Sequence, residues 1–348
     1  MWTPHVFATY VHNLNPIALP IHGDFALRWY GIAYLLGFVA GFLLLRNLAK
    51  RGMWVLKPEK TADFIAAAAL FGVFVGGRLG YIFFYQIPGR GLDSVLHDPL
   101  IIFRVWEGGM ASHGGILGLV IFTWFYARKE KVTWTGLGDG LCVVAPLGLF
   151  FGRMANFVNG ELYGRIAHGF NYAVKFPRTL VENAPENLRF DEALAAATQV
   201  EPKLTKLYQS LEIATTNEEY SSAKSACFEA LLDANRHSGK VSDAIAPYLE
   251  PRHPSQLYEG FLEGLLLFII LYAVRLKFPK APDGLLTGMF FALYAIFRIF
   301  GEQFREPDAS LVGPFTKGQF FSFFMFAFAA AFLTHAWRMW KNGKRLRS

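Results

Sequence analysis

Seven apolar stretches limit what this chain can fold into: residues 29–45, 61–86, 112–127, 137–156, 257–274, 284–300 and 319–337. Each approaches the roughly 20 residues that carry an α-helix across a hydrocarbon core. Apolar residues make up 53% of the chain, with 35 Phe, and charged residues only 18%. A soluble domain does not collect its apolar residues in such blocks. The pattern predicts an all-α polytopic membrane protein with about seven transmembrane helices.

Lysine and arginine in the short connections predict an orientation. Arg46, Lys50, Arg51, Lys57 and Lys60 follow the first stretch, Arg128, Lys129 and Lys131 the third, and Arg275, Lys277 and Lys280 the fifth. The tail carries Arg338, Lys341, Lys344, Arg345 and Arg347, whereas the alternate connections mix acids with bases. Every other connection is basic, which predicts a periplasmic amino terminus and a cytoplasmic carboxyl terminus. Much of the net charge of +7 comes from these loops, so it gives no reason to expect nucleic acid.

The chain divides by composition into four parts. Residues 1–28, interrupted by Pro4, Pro16 and Pro20, read as a periplasmic interfacial arm rather than a cleavable leader. Residues 29–177 hold helices one to four. A polar insertion over 178–251 is rich in Glu, Lys, Asn and Ser and predicts a small helical periplasmic head. Residues 252–348 hold helices five to seven and the basic tail. Within the head, Thr216 followed by Glu219 matches a capping box. Tyr220, Ala223, Cys227, Ala230, Leu231 and Ala234 then recur at amphipathic spacing. Cys142 lies in a span and Cys227 in the head, so a disulfide between them is not expected. Gly72, Gly76 and Gly80, Gly37 and Gly41, and Gly114 and Gly118 are spaced for close helix packing rather than chemistry.

Charge at membrane depth is costly and marks function by default. In this chain it gathers at one end of the predicted helices. Arg78 lies in the outer half of helix two, His113 opens helix three, Arg153, Asn156, Asn159 and Glu161 close helix four, and Arg252, His253, Gln256 and Glu259 precede or open helix five. On helix six, Tyr294, Arg298, Glu302 and Arg305 are spaced by four, four and three, which predicts one shared face. At 1.5 Å per residue the two arginines stand roughly 10 Å apart along the axis. A guanidinium is always charged and its planar fork matches a phosphate. Several at headgroup depth suit a phospholipid. The plainer alternative is a structural Arg298–Glu302 pair with Arg305 reaching to the interface. His113 is flanked by Gly114 and Gly115, which leave room for a close approach, and an imidazole exchanges protons near neutrality. A purely structural histidine is the alternative there. No metal-binding spacing, nucleotide-binding loop or internal repeat stands out.

The segments RWYGIAYLLGF (28–38), GGRLGYIFFY (76–85), FRVWEGGMASHGG (103–115), GRMANFVNGELYGR (152–165), RHPSQLYEG (252–260) and FREPD (304–308) closely resemble those of prolipoprotein diacylglyceryl transferases. The resemblance covers most of the chain outside the head, which looks longer than is usual for the family. It implies a bacterial inner-membrane enzyme whose site faces the periplasm. Its donor would be phosphatidylglycerol and its acceptor the lipobox cysteine of a prolipoprotein carrying its signal peptide. No cofactor is implied. Residue by residue, Arg153 matches the family's phospholipid-binding arginine and Arg298 its second essential arginine. His113 matches the HGG histidine and Tyr30 the tyrosine of WYG. Asn156, Glu161, Tyr294 and Glu302 fall on functional family positions. The base that deprotonates the thiol is left open, with His113 first and Glu161 and Glu302 next. A non-catalytic phospholipid-binding membrane protein or transporter is the competing reading. Transporters place polar groups near the midplane, often within repeats.

Overall fold

Apolar runs become helices because a helix satisfies its backbone polar groups within its own segment. The computed structural model describes residues 9–22, 25–104, 108–182, 184–307 and 313–345. In it α1 spans Trp29–Lys50, α2 Pro58–Arg90, α3 Ser112–Glu130 and α4 Trp134–Asn159. The insertion forms α5 Phe190–Val200, α6 Thr205–Glu212, α7 Asn217–His237 and α8 Gly239–Ile245. Then follow α9 Ser255–Lys277, α10 Leu285–Gly301 and α11 Lys317–Arg345. Five of these, α1, α2, α4, α9 and α11, are long and apolar enough to cross a membrane, and α10 is apolar but shorter. The protein is a predominantly helical, polytopic membrane protein. Residues 1–8 of the arm, Val105, Trp106 and Glu107 of FRVWEGG, Asp308 of FREPD and Arg347 lie outside the described residues.

Short strands add to the all-α expectation. Ile17–His22 pairs antiparallel with Phe25–Arg28, and Val174–Lys175 lies between Tyr10–Val11 and Pro251–Arg252. These pairs fall in the arm and flank the insertion, where helix-period patterning is absent.

Contacts divide the chain into two units, residues 1–33, 150–262 and 297–320 in the first and 34–149, 263–296 and 321–348 in the second. The first unit contains a core of the soluble kind, in which Phe190, Leu194, Leu211, Cys227, Leu231 and Ile245 are buried together. Amphipathic spacing produces this core, with Ala223, Ala230 and Ala234 packed at its edge and Tyr220 exposed. The predicted capping box is present. Thr216 Oγ1 accepts from the Glu219 backbone N–H at 3.2 Å, and Glu219 Oε2 accepts from the Thr216 N–H at 3.2 Å. Buried Arg252 fixes the insertion within this unit. Its fork donates to both oxygens of Glu186 at 2.9 Å and its Nη1 to the Gly164 carbonyl at 3.2 Å.

In the second unit α2 and α3 meet backbone to backbone through the glycines of the predicted small-residue spacing. A Cβ added at Gly76 would stand 2.8 Å from Gly114 O and from Gly118 Cα. Gly37 likewise approaches Gly148, at 3.2 Å from its own ideal Cβ. Asp139, buried in α4, accepts from the Gly284 and Thr287 backbone N–H groups at 3.0 and 2.8 Å. The carboxylate satisfies orphan donors at the start of α10, with Arg275 at 3.5 Å as its counter-ion. A charge at membrane depth is here a structural one.

Candidate active site

Five charged side chains of the first unit converge where α4 ends, α9 begins and α10 ends. Glu259 is fully buried at the first turns of α9. Its Oε2 lies 3.0 Å from Arg153 Nη1 of α4, and its Oε1 accepts from Arg298 Nη1 of α10 at 2.9 Å. Arg305 Nη1 reaches both oxygens at 3.3 Å. Arg298 also pairs with Glu302. Three guanidiniums and two carboxylates thus meet in this cluster. Arg153 and Arg298 keep 16% and 14% of their side-chain surface exposed, whereas Arg305 keeps 6%. The first two therefore have faces that a ligand can reach.

The helical spacing of 298, 302 and 305 only partly explains this cluster. α10 stops at Gly301, so Arg305 does not share a helical face with Arg298. A turn over 302–304 brings it back, and Arg305 bridges to Gly164. The close approach needs glycine. A Cβ at Gly164 would collide with the carbonyls of His253 and Phe304, and one at Gly318, in the first turn of α11, with the Glu302 carboxylate and Arg298.

A second polar group lies in the same unit around Glu161. Asn156 Nδ2 donates to Tyr30 Oη at 2.5 Å and to Glu161 Oε1 at 3.0 Å, and Asn159 Nδ2 donates to the same oxygen at 3.3 Å. The turn after α4 holds Gly160 and Leu162 at φ values of 68° and 56°. That left-handed geometry is uncommon for a leucine. It is tied down by Gln256 Nε2 donating to the Glu161 carbonyl at 2.7 Å and Ser255 Oγ to the Leu162 carbonyl at 3.2 Å. The end of α4, through Asn156 and Asn159, and the start of α9, through Ser255 and Gln256, thus hold Glu161 and its turn in place.

The remaining expected residues stand as follows. Tyr294 precedes Arg298 by one turn of α10, its ring stacked on Phe290. His113 belongs to the second unit, exposed in the first turn of α3 with its ring centroid 5.7 Å from that of Phe321. Arg78, also of the second unit, is buried and donates to the carbonyls of Ile101, Ile102, Gly108 and Gly109. Four of its five N–H donors are thereby committed to these four backbone carbonyls. Among the described residues no group of three His, Cys, Asp or Glu is arranged to hold a metal ion.

Sequence reasoning overlooked the role of Glu259. It was visible as one of several polar residues opening helix five, but one-dimensional spacing does not reveal that three arginines from other segments share it. Gly318 carried no signal at all, because a glycine in a helix's first turn reads as ordinary.

Comparisons with known proteins give the chain a family. The family model described as prolipoprotein diacylglyceryl transferase matches residues 16–335. A phosphatidylglycerol–prolipoprotein diacylglyceryl transferase of Bdellovibrio bacteriovorus is 40% identical over 333 residues, covering 91% of each chain. Its namesake in Geobacter sulfurreducens is 36% identical, over 90% of this chain and 92% of its own. That of Serratia proteamaculans is 36% identical, over 86% and 84%. The family match runs from residue 16 to residue 335 and the relatives share 36–40% identity over most of their own length, and on that ground the chain belongs to the prolipoprotein diacylglyceryl transferase family.

Proposed function

We propose that this protein is a transferase that moves the diacylglyceryl group of phosphatidylglycerol onto the thiol of a prolipoprotein's lipobox cysteine, releasing glycerol 1-phosphate. The observation that carries the reading is the convergence of Arg153, Arg298 and Arg305 on one buried carboxylate, in a chain of this family. A base takes the thiol proton and the thiolate sulfur attacks the glyceryl carbon that bears the phosphate. The S–C bond forms as the C–O bond breaks, and glycerol 1-phosphate leaves with the bonding pair. A free thiol, with a pKa of about 8.5, needs that base near neutrality. Arg153 and Arg298 bind the phosphate and stabilise the charge that grows on it, at fixed positions in a water-poor site. Glu259 keeps them in place, with Arg305 completing the positive field. Asn156, Glu161 and Tyr30 form the polar wall against which the headgroup is oriented, and Tyr294 and Glu302 flank Arg298. His113 is the first candidate for the base.

This reading places the protein in the inner membrane with seven spans, α3 and α10 among them. The arm of residues 1–28 and the head of 178–251 then lie in the periplasm, and the tail after 252–348's last helix in the cytoplasm. Support for the orientation comes from the alternation of lysine- and arginine-rich loops. The test is reconstitution. Purified protein in nanodiscs with phosphatidylglycerol as the lone phospholipid should convert a lipobox peptide to its diacylglyceryl thioether, seen as a mass gain on cysteine. Absence of that gain, with the folded protein present and the cysteine reduced, overturns the proposal.

A further inference from the structure

Where α9 gives way to α10, the connection forms a groove with the later turns of α11, all within the second unit. The groove holds about 720 Å³, walled on one side by residues 277–282 and Leu285 and on the other by Leu333, Ala336, Trp337 and Trp340. That size falls among those that take a ligand, about 300–1,000 Å³. Its floor is closed where α10 meets α11, since a Cβ added at Gly288 would stand 2.8 Å from Leu333 Cγ. Pro279 and Pro282 stiffen the connection. Its N–H groups are spent within the chain, Phe278 N–H on the Val274 carbonyl at 2.9 Å and Ala281 N–H on the Phe278 carbonyl at 3.0 Å. What faces the groove is therefore mostly hydrocarbon, and Phe278, Trp337 and Trp340 are each about half exposed.

The rim is basic. Lys277 and Lys280 belong to the groove, and Lys341 Nζ lies 5.2 Å from the centroid of the Trp337 ring. No Asp or Glu occurs over 264–282 or from residue 317 to the end of the chain. The acids of the neighbouring elements are engaged elsewhere. Asp139 pairs with Arg275 and holds the start of α10, Asp283 accepts from Thr133, and Glu130 lies 3.3 Å from Lys60. An apolar trough rimmed by ammonium groups matches a molecule with a long hydrocarbon body and an anionic head. A lysine stem follows apolar surface while its charge stays in water, and indole rings favour the headgroup level. A zwitterionic headgroup would bring its own ammonium among the lysines. The positively charged leader of a secretory signal peptide would be repelled.

We propose that this groove binds one anionic phospholipid of the leaflet that meets the α9–α10 connection, with an acyl chain along Trp337 and Trp340 and the phosphate held by Lys277 and Lys280. The bound lipid ties the connection to α11. The groove shares no residue with the arginine cluster, so this lipid is distinct from a donor held there, and the site does not depend on the transfer reading.

The test uses the full chain in nanodiscs of phosphatidylcholine doped with phosphatidylserine that carries a diazirine on one acyl chain. Photolysis should label residues 277–285 and 333–340, mapped by peptide mass spectrometry. Unlabelled phosphatidylserine should suppress that labelling, and extra phosphatidylcholine should not. A lysine near a membrane surface strengthens the binding of anionic lipid about fivefold. Lys277→Gln combined with Lys280→Gln should therefore raise the phosphatidylserine needed for half-maximal labelling about tenfold to thirtyfold. Lys277→Arg combined with Lys280→Arg should keep the wild-type value, because the charge is what the headgroup meets. Melting temperature and labelling at the other lipid-facing helices report that each variant has folded. Equal labelling of the groove by a phosphatidylcholine probe, or an unchanged half-maximal value in the folded Gln variant, overturns the proposal and leaves ordinary lipid contact. Suppression by a lipobox peptide, or only when two copies of the chain associate, gives the groove another occupant and overturns it equally.

Discussion

Arg298 Nη1 donates to Glu259 Oε1 at 2.9 Å, and the acceptor carboxylate is wholly buried. Removing one partner of a buried ionic cluster costs about 3–5 kcal/mol, because the other charges remain without compensation. Glu259→Gln keeps the shape and removes the charge, leaving Arg153, Arg298 and Arg305 facing one another. The expected result is a marked fall in melting temperature and a fall in turnover per folded molecule. Unchanged melting in a thermal shift assay would show that the arginines hold their places without it.

Lysine is a sharper probe of the arginines than alanine. Arg153→Lys and Arg298→Lys keep positive charge and lose the planar fork. If the guanidiniums hold the departing phosphate in fixed geometry, each change lowers turnover by about 10²–10³. A purely structural Arg298–Glu302 pair predicts lowered stability instead, with activity tracking the amount folded. Turnover normalised to folded protein separates the two.

His113→Gln tests the base. As the acceptor of the thiol proton, His113 should contribute about 10²–10⁴ to turnover and little to phospholipid binding. Wild-type turnover in His113→Gln would transfer the role to Glu161 or Glu302.

His12 makes the first unit sensitive to acid. Burial lowers its pKa from 6.5 to about 4, and repulsion from Arg236 and Arg178 adds to this against the hydrogen bond to Phe157. The native state holds the ring neutral, whereas the unfolded chain binds a proton below 6.5. Stability is therefore full above about pH 6.5 and falls by about 1.4 kcal/mol per pH unit down to about pH 4, below which the slope vanishes. The reactivity of Cys227, buried in the same unit, measures the opening in a Cys142→Ser background. His12→Phe should remove this slope.

Topology is checked by single cysteines at Ser222 and Glu130 in a chain lacking Cys142 and Cys227. An impermeant thiol reagent applied to spheroplasts should modify position 222 and spare 130. The reverse pattern would invert the orientation and move the site to the cytoplasmic leaflet.

Much of this molecule was legible because the membrane penalises charge. Arg153 and Arg298 stand out in apolar runs, and the capping box at Thr216 and Glu219 is a local signal that the fold keeps. What escaped was non-local. Arg305 joins the cluster by a turn that helical periodicity hides, and Glu259 acquires its meaning from three distant partners. Arg78 looked like the other arginines in sequence, yet it donates to the carbonyls of Ile101, Ile102, Gly108 and Gly109. The arm's hairpin was unread because its prolines argued only against a helix.

The glycines of α2 and α3 decide something about traffic in the membrane. At the seam between these helices there is no room for a methyl group on Gly76, Gly80, Gly114 or Gly118 without displacing backbone. A seam closed to a methyl is closed to an acyl chain. Lipid donors and lipidated products must therefore pass between other helices, and α2 and α3 travel as one piece in any motion that lets them through.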